Sequence, residues 1–387
     1  MSTFALAGRM AGVRRTVGLC GVALLLVGCA GSGSVGEPVP PFHPATVSPA
    51  SAAPAKPANT FTVVATGDVL IHPALTEQAE ADGGGTRDFA PLLAGIKPVI
   101  EAADLAICHL EVPLAGPDGP FEGYPLFSAP PEVAPALAAT GYDTCSTASN
   151  HTFDHGRDGV RTTLDTLDAT KIGHTGSART EAESKTPLVR EVNGVKVGQV
   201  SFTFGFNQGT ERPSDAPWMA NELTVDAVLE AARAARAAGA EVVIASLHWG
   251  IEDQHEPTAD QRSMAKDILA DPAVDLIVGH HAHVVQPFEK IGDKWVAYGL
   301  GNSVAKHEEP RWTTEEGLIG RFRFTKSDVG WRVDKAEYVP TLVDLGPPIR
   351  LRDLSTDAEV PAARKKEALD RTDGVVLSLD PPGLTRP

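Results

Sequence analysis

The sequence predicts an α/β fold in which two β-sheets stack as a sandwich flanked by helices. Three observations predict it. Short runs rich in apolar and β-branched residues recur along the chain, each closed by a polar tip. Alanine-rich stretches with helical spacing separate several of them, and the order strand, tip, helix marks layered α/β structure with a largely parallel sheet. After about Gly292 the helical pattern gives way to strands joined by short turns, which suggests a more antiparallel segment completing a second sheet.

In chain order, a run over residues 61–66 leads into Gly67 and Asp68. A second, over residues 104–108, leads into His109, Leu110 and Glu111. Residues 142–148 precede Asn150 and His151, and residues 241–246 precede His248, Trp249 and Gly250. A fifth run, residues 274–278, opens onto Gly279-His280-His281-Ala282-His283. Helical spacing is expected over residues 160–167, over residues 225–238 closed by Gly239, and over residues 261–269 ahead of Asp271-Pro272. Later strands are expected over residues 295–298, 318–324 and 330–339. Ligands of such sheets gather outside the carboxyl ends of the strands, where all five polar tips fall.

The first residues are not expected to join the fold. Arg9, Arg14 and Arg15 precede an apolar run over residues 17–27 that is too short to span a bilayer. The run ends in Leu26-Val27-Gly28-Cys29, which resembles a bacterial lipobox. Residues 1–28 are therefore read as a lipoprotein signal peptide, with Cys29 as the lipidated residue of the mature chain. Residues 29–60 are rich in Pro, Ala and Ser and read as a disordered tether. About 30 such residues reach roughly 30 Å. The expected location is the outer face of the cytoplasmic membrane, with the chain anchored but not spanning. No second low-complexity break follows, so residues 61–345 are expected to form one large domain, and residues 346–387 a partly ordered C-terminal extension.

The formal net charge of −16 argues against nucleic acid as a partner. It leaves an anionic substrate open, because bound cations reverse the local field. Only Cys108 and Cys145 remain in the domain, too few for a thiolate metal site; buried thiols and a disulfide are both open. The strand tips instead collect Asp68, Glu111, Asn150, His248, His281 and His283, with His151 adjacent. That set exceeds what one cation commonly uses. It suits two divalent metals about 3.5–4 Å apart that share a carboxylate. Nitrogen and oxygen donors without thiolate fit Zn, Mn or Fe.

The ordered series of motifs resembles the CapA family, the poly-γ-glutamate capsule synthesis proteins, whose fold is similar to that of calcineurin-like metallophosphoesterases. The matching segments are Gly67-Asp68, Asp104-Leu105, Leu110-Glu111, Ser149-Asn150-His151 and Asp154-His155-Gly156. They continue through Leu247-His248-Trp249-Gly250, Gly279 to His283 with Gln286-Pro287, and Tyr298-Gly299-Leu300-Gly301-Asn302. The resemblance covers about residues 61–345 and implies a four-layer α/β/β/α sandwich. It also implies that Asp68 and His283 help hold one metal and Asn150 and His248 the other. Glu111 is then the shared carboxylate and His281 a further ligand. His151 takes the position of the general acid, with Asp154 placed to orient its ring.

The chain departs from the family pattern in several places. His109 stands where Asn is usual, as an additional ligand, a donor or a packing residue. Ser149 replaces an Asn and Ser303 an aromatic residue. Val69-Leu70 follow Asp68 where the phosphoesterase pattern has a histidine, and His72 is expected to be a loop residue. His174, His255 and His307 lie in polar stretches and are expected at the solvated surface. Trp249 either walls the pocket or packs beneath the sheet.

Three functions follow from the resemblance. One is a dinuclear hydrolase acting on a phosphoester in the synthesis or processing of an anionic cell-surface polymer. A second is a non-catalytic polymer-binding or assembly component, working with membrane synthase or export partners. The third is an amide hydrolase or transferase on poly-γ-glutamate or a cell-wall peptide. No residue separates phosphoester from amide chemistry.

Overall fold

The computed structural model describes residues 59–307 and 310–387. The expected signal peptide, Cys29 and nearly all of the tether lie outside the described residues. Among those that are described, no helix is long and apolar enough to cross a membrane.

Among the described residues fifteen strands form two sheets. They are β1 (Thr60–Val69), β2 (Leu105–Leu110), β3 (Thr144–Ser146), β4 (Gly173–Thr175), β5 (Leu188–Val192), β6 (Val195–Thr203), β7 (Val242–His248) and β8 (Leu276–His280). The remainder are β9 (Phe288–Ile291), β10 (Lys294–Ala297), β11 (Asn302–Val304), β12 (Glu316–Ser327), β13 (Gly330–Asp344), β14 (Arg350–Asp353) and β15 (Leu384–Thr385). The first sheet runs β14-β13-β12-β1-β2-β3-β4, with β11 beside β1 and β15 beside β13; the second runs β5-β6-β7-β8-β10-β9.

Period-two alternation sorts the core into layers. Phe61, Val63 and Ala65 of β1 face Val242 and Ile244 of β7 and Leu276 and Val278 of β8 in the apolar layer between the sheets. The intervening Val64, with Ala106 and Cys108 of β2, packs under helices Pro73–Asp82, Val133–Thr140 and Gly156–Ala169. Val243, Ala245 and Leu247 of β7 face helices Val225–Ala237 and Ala259–Ala270 on the far side. The result is the four-layer α/β/β/α sandwich. Trp249 belongs to this last layer: it is buried, and its indole N–H donates to the Tyr298 carbonyl at 2.9 Å. It packs beneath the sheet.

One expectation needs correction. The strands after Gly292 do not complete the second sheet, to which only β10 goes; β11, β12 and β13 return to the first. The reason is pairing: β12 runs antiparallel to β1 from Thr60↔Thr325 to Thr66↔Ile319. That register stacks Phe61 on Phe324, ring centroids 5.1 Å apart, and buries both between the sheets. Within the second sheet, β6, β7, β8 and β10 are parallel, bracketed by antiparallel β5 and β9.

Helix boundaries follow local chemistry. Thr224 caps helix Val225–Ala237, and Gly239 beyond its end takes a φ of 100° that favours glycine. Thr258 and Gln261 form a capping box at helix Ala259–Ala270. Cys108 and Cys145, in register on β2 and β3, are joined by a disulfide. Residues 346–387 supply β14, helix Ala362–Val376 and β15, closing a small core of Leu342, Leu354, Val360 and Ala368.

Candidate metal centre

Strands β1, β2, β3, β7 and β8 all end on one side of the sandwich, which gathers their tips. Gly67 is required because a Cβ there would lie 2.0 Å from the Gly301 carbonyl oxygen. At Gly279 a Cβ would lie 1.9 Å from that of Tyr298. These contacts clasp β1 and β8 against the returning segment before β11. Just before Asp68 the pairing of β1 with β2 shifts register and resumes with Asp68 opposite His109, while on the other edge β11 succeeds β12, with Asp68 opposite Asn302. Such irregularities re-aim side chains. His281 and His283 take φ values of 90° and 55°, uncommon for non-glycine residues and concentrated at functional sites.

Asp68, Glu111, His248 and His283 converge in the interior. His283 Nδ1 lies 3.1 Å from Asp68 Oδ2, and its Nε2 lies 3.6 Å from Glu111 Oε1. Glu111 Oε1 is also 4.0 Å from His248 Nε2, so one carboxylate faces two imidazoles. His248 Nε2 is 2.7 Å from Asn150 Oδ1. Among the described residues three groups have donor atoms mutually within 4.8 Å: Asp68 with Glu111 and His283, Asp68 with His109 and His248, and Glu252 with His281 and His283.

Several buried atoms here lack any hydrogen-bond partner. They include both oxygens of Glu111, Oδ1 of Asp68 and Nδ1 of His281. An unpaired buried carboxylate is costly, and cation coordination is the usual remedy. The donor set therefore fits divalent metal.

Charge is distributed unevenly. Burial works against ionised Asp68, yet contacts with His280 and His283 outweigh it and hold the carboxyl well below its usual range. Burial pushes Glu111 well above the usual range, with Asp68 adding to the effect and His283 opposing it. For His283 burial favours the neutral ring, but Glu111 and Asp68 outweigh it and raise the group to about 10. Burial and neighbouring imidazoles hold His109 and His248 well below the ordinary value, and His281 at about 3.

Around these residues lies a supporting shell. His151 Nδ1 is 2.6 Å from Asp154 Oδ2, which also accepts the Phe127 backbone N–H at 2.8 Å. Asn207, on the loop after β6, accepts from Asn150 Nδ2 at 3.0 Å and so turns the Asn150 oxygen toward His248. Asn302 Oδ1 sits 2.9 Å from His283 Nδ1. His109 does not stand apart: its Nε2 is 3.0 Å from His248 Nδ1 and its Nδ1 is 2.8 Å from Ser146 Oγ.

Sequence reasoning missed five of these residues, Ser146 beside His109 among them. His280 is buried, stacks on His109 at 4.1 Å and lies 3.3 Å from Asp68 Oδ1. It belongs to the histidine cluster, and the alternation of a strand would have signalled that it points inward. Glu252 follows the His248-Trp249-Gly250 tip by two residues. Asn302 stood within a matched motif without a role. Asn207 gave no signal, since only the fold brings its loop to Asn150. Three histidines expected at the solvated surface are more enclosed. His174 is 3.1 Å from Asp168, His255 is 2.7 Å from the Val285 carbonyl, and the His307 ring lies 6.1 Å from that of His283. His72, expected in a loop, is buried at the N-cap of helix Pro73–Asp82 and accepts the Lys306 backbone N–H at 3.2 Å.

Residues 62–307 match the family described as Bacterial capsule synthesis protein PGA_cap, and the chain belongs to that family. It is similar to Capsule biosynthesis protein CapA of Bacillus anthracis, with 29% identity over 46% of this chain and 43% of that one. Its similarity to PGA biosynthesis protein CapA of Bacillus subtilis (strain 168) is 26% identity over 51% of each chain. The chain spans about half the length of the curated relatives it matches. Among solved structures it is similar to the calcineurin-like phosphoesterase YfkN from Bacillus subtilis, with TM-score 0.42 and 15% identity over 83% of this chain and 98% of that one.

Proposed function

We propose that the chain is a lipid-anchored, extracytoplasmic hydrolase dependent on two divalent metal ions. Its proposed substrate class is an anionic cell-surface polymer, such as poly-γ-glutamate, or a phosphoester formed during the synthesis or processing of one. The observation that carries the catalytic part is Glu111. A buried carboxylate with neither oxygen hydrogen-bonded, lying 3.6 and 4.0 Å from two imidazole nitrogens, has the surroundings of a shared metal ligand. Membership in the capsule synthesis family, together with relatives named for capsule and PGA biosynthesis, supports the polymer.

In this reading Asp68 and His283 hold one cation, Asn150 and His248 the other, and Glu111 both, with His281 as a further ligand. Bound divalent cations supply Lewis acidity toward a phosphoryl or carbonyl oxygen and make water a better nucleophile. The chain's own residues do the rest. Asp154 fixes the His151 ring by accepting from Nδ1–H; with the ring carrying a second proton on Nε2, that proton passes to the departing group and leaves a neutral imidazole still held at Nδ1–H. Asn302 and Asp68 hold Nδ1 of His283, so Nε2 is the atom turned toward Glu111. Membrane synthase or export partners belong to this proposal, reached through the lipid on Cys29.

The test uses the full chain, extracted from membranes in detergent. Elemental analysis should give close to two metals per chain, and turnover of a phosphodiester, a phosphomonoester or a γ-glutamyl peptide then sets the bond class. Metal without turnover of any of these, together with saturable binding of polyglutamate, points instead to a polymer-binding component. Absence of metal from protein purified without chelator defeats the reading. Separately, Cys29→Ala should move the protein out of the membrane fraction or leave an uncleaved precursor, and unaltered processing and distribution defeats the anchor.

A further inference from the structure

We infer that His109 and Ser146 form, with His248, a hydrogen-bonded relay whose proton arrangement reverses when a cation binds between His248 and Asn150. The inference rests on the proposed reading of those two residues as ligands of one metal. It makes His109 and Ser146 positioning residues that act through His248.

Four buried residues form the chain of contacts. Asn150 Oδ1 lies 2.7 Å from His248 Nε2, His248 Nδ1 lies 3.0 Å from His109 Nε2, and His109 Nδ1 lies 2.8 Å from Ser146 Oγ. Ser146 Oγ is in turn 3.3 Å from the carbonyl oxygen of Cys108. The direction at one end is fixed. Asn150 donates its amide N–H to Asn207, so the atom facing His248 is an oxygen, which only accepts.

Without a cation, His248 must therefore carry its proton on Nε2 and donate it to Asn150. A neutral imidazole has one N–H, so Nδ1 is then an acceptor. It accepts from His109 Nε2–H, and His109 Nδ1 accepts from the Ser146 hydroxyl. With a cation on Asn150 Oδ1 and His248 Nε2, that nitrogen needs its lone pair. The His248 proton then resides on Nδ1 and is donated to His109 Nε2. The His109 proton resides on Nδ1 and is donated to Ser146 Oγ, whose hydroxyl turns to the Cys108 carbonyl. Each ring keeps one proton and the hydroxyl its own, so the two states hold equal numbers of protons. Neither state leaves a buried polar atom of the relay unsatisfied, a cost that would otherwise oppose binding.

Placement separates this role from ligation by His109. Its Nε2 faces His248 Nδ1 and its Nδ1 faces Ser146 Oγ, so both nitrogens stay engaged in either state, whereas His248 Nε2 faces the Asn150 oxygen and lies 4.0 Å from Glu111 Oε1.

The test is a cobalt(II) titration of the full chain, stripped of metal and held in detergent, followed by visible absorption. The parent should show two binding phases. Ser146→Ala and His109→Leu should each weaken one phase by about 10–100-fold, the usual effect of removing a partner of a metal-bound imidazole, and spare the other. In Ser146→Ala the absorption maximum at saturation should stay at the parent position, because the ligand atoms are unchanged. Ser146→Ala removes only a hydroxyl and keeps the test decisive if His109→Leu does not fold. Parent affinities in Ser146→Ala overturn the relay. So does a shifted maximum in His109→Leu with Ser146→Ala unaffected, which marks His109 as a ligand. A parent that takes up no cobalt defeats the metal reading itself, and the relay falls with it.

Discussion

The two halves of the centre solve the same problem differently. Around Asp68, Glu111 and His283, two buried carboxylates face one imidazole, and three carboxylate oxygens have no hydrogen-bond partner. Around Asn150, His248 and His109 every named side chain is neutral at physiological pH, and the contacts close into a chain of hydrogen bonds. The first half needs positive charge, and protonated His283 supplies a substitute for it. The second half needs only a reorganisation of protons. In the proposed dinuclear reading its share of metal binding would come from coordination, while the first would add the relief of a buried negative charge.

The largest expected effect breaks the link between the halves. Glu111→Gln keeps the shape but removes the charge facing both imidazoles. Metal affinity should fall at both positions, by more than the ~10²-fold that loss of an outer partner can cause. Asn150→Ala should empty one position and leave the other near its parent affinity. Elemental analysis after dialysis against matched free metal reads both. Full occupancy in Glu111→Gln would show that the two halves are independent sites.

A second expectation isolates chemistry from metal. His151→Ala should retain both metals and lose roughly 10²–10⁴-fold in rate, the contribution of a positioned general acid. The loss should shrink for a substrate with a good leaving group such as nitrophenolate. Asp154→Asn should act in the same direction but more weakly, since it only loosens the ring it holds at 2.6 Å. A His151→Ala protein stripped of metal would make His151 a ligand instead of a proton donor.

Legibility in the sequence followed the same division. Residues at strand ends were readable because strand, tip and helix recur in a fixed order, and that order alone gathers Asp68, Glu111, Asn150, His248 and His283. Two sheets flanked by helices were readable from the same pattern, and the four-layer order came with the family resemblance. The sheet to which β12 and β13 belong was not, since pairing with β1 depends on a register spanning more than two hundred residues of intervening chain. Nor were Asn207 and Ser146 readable. Single polar residues in ordinary contexts acquire meaning only from what the fold sets beside them. His280 was lost for another reason: three histidines in four positions cannot all point one way from a strand end, and side-chain alternation had to decide among them.

The smallest expected effect concerns the metal-free protein, and it places the two halves on opposite sides of neutrality. His283 is raised to about 10, so its contribution to stability is complete below the unfolded value of about 6.5 and is lost as pH rises through 10. Asp68 is depressed; its contribution is present above about 3.9 and is lost only as pH falls through its folded value. It therefore stays constant near neutrality. His109, His248 and His281 are lowered, so below about 6.5 the unfolded chain binds more protons than the fold and stability falls with falling pH. The Tm of stripped protein should thus pass through a maximum near neutrality, with limbs of a few degrees; each kcal/mol is worth about 2–4 °C in large domains. The alkaline limb between pH 7 and 9.5 belongs to the charged half, the acid limb to the neutral half. Metal should flatten the alkaline limb, because ligation requires neutral His283 and removes its titration from that range. Without metal, His283→Asn should remove the His283 share of that limb and leave the share of Glu111, whose carboxyl burial holds well above the usual range. An alkaline limb unchanged by both treatments would assign the loss to groups elsewhere and remove the contrast between the halves.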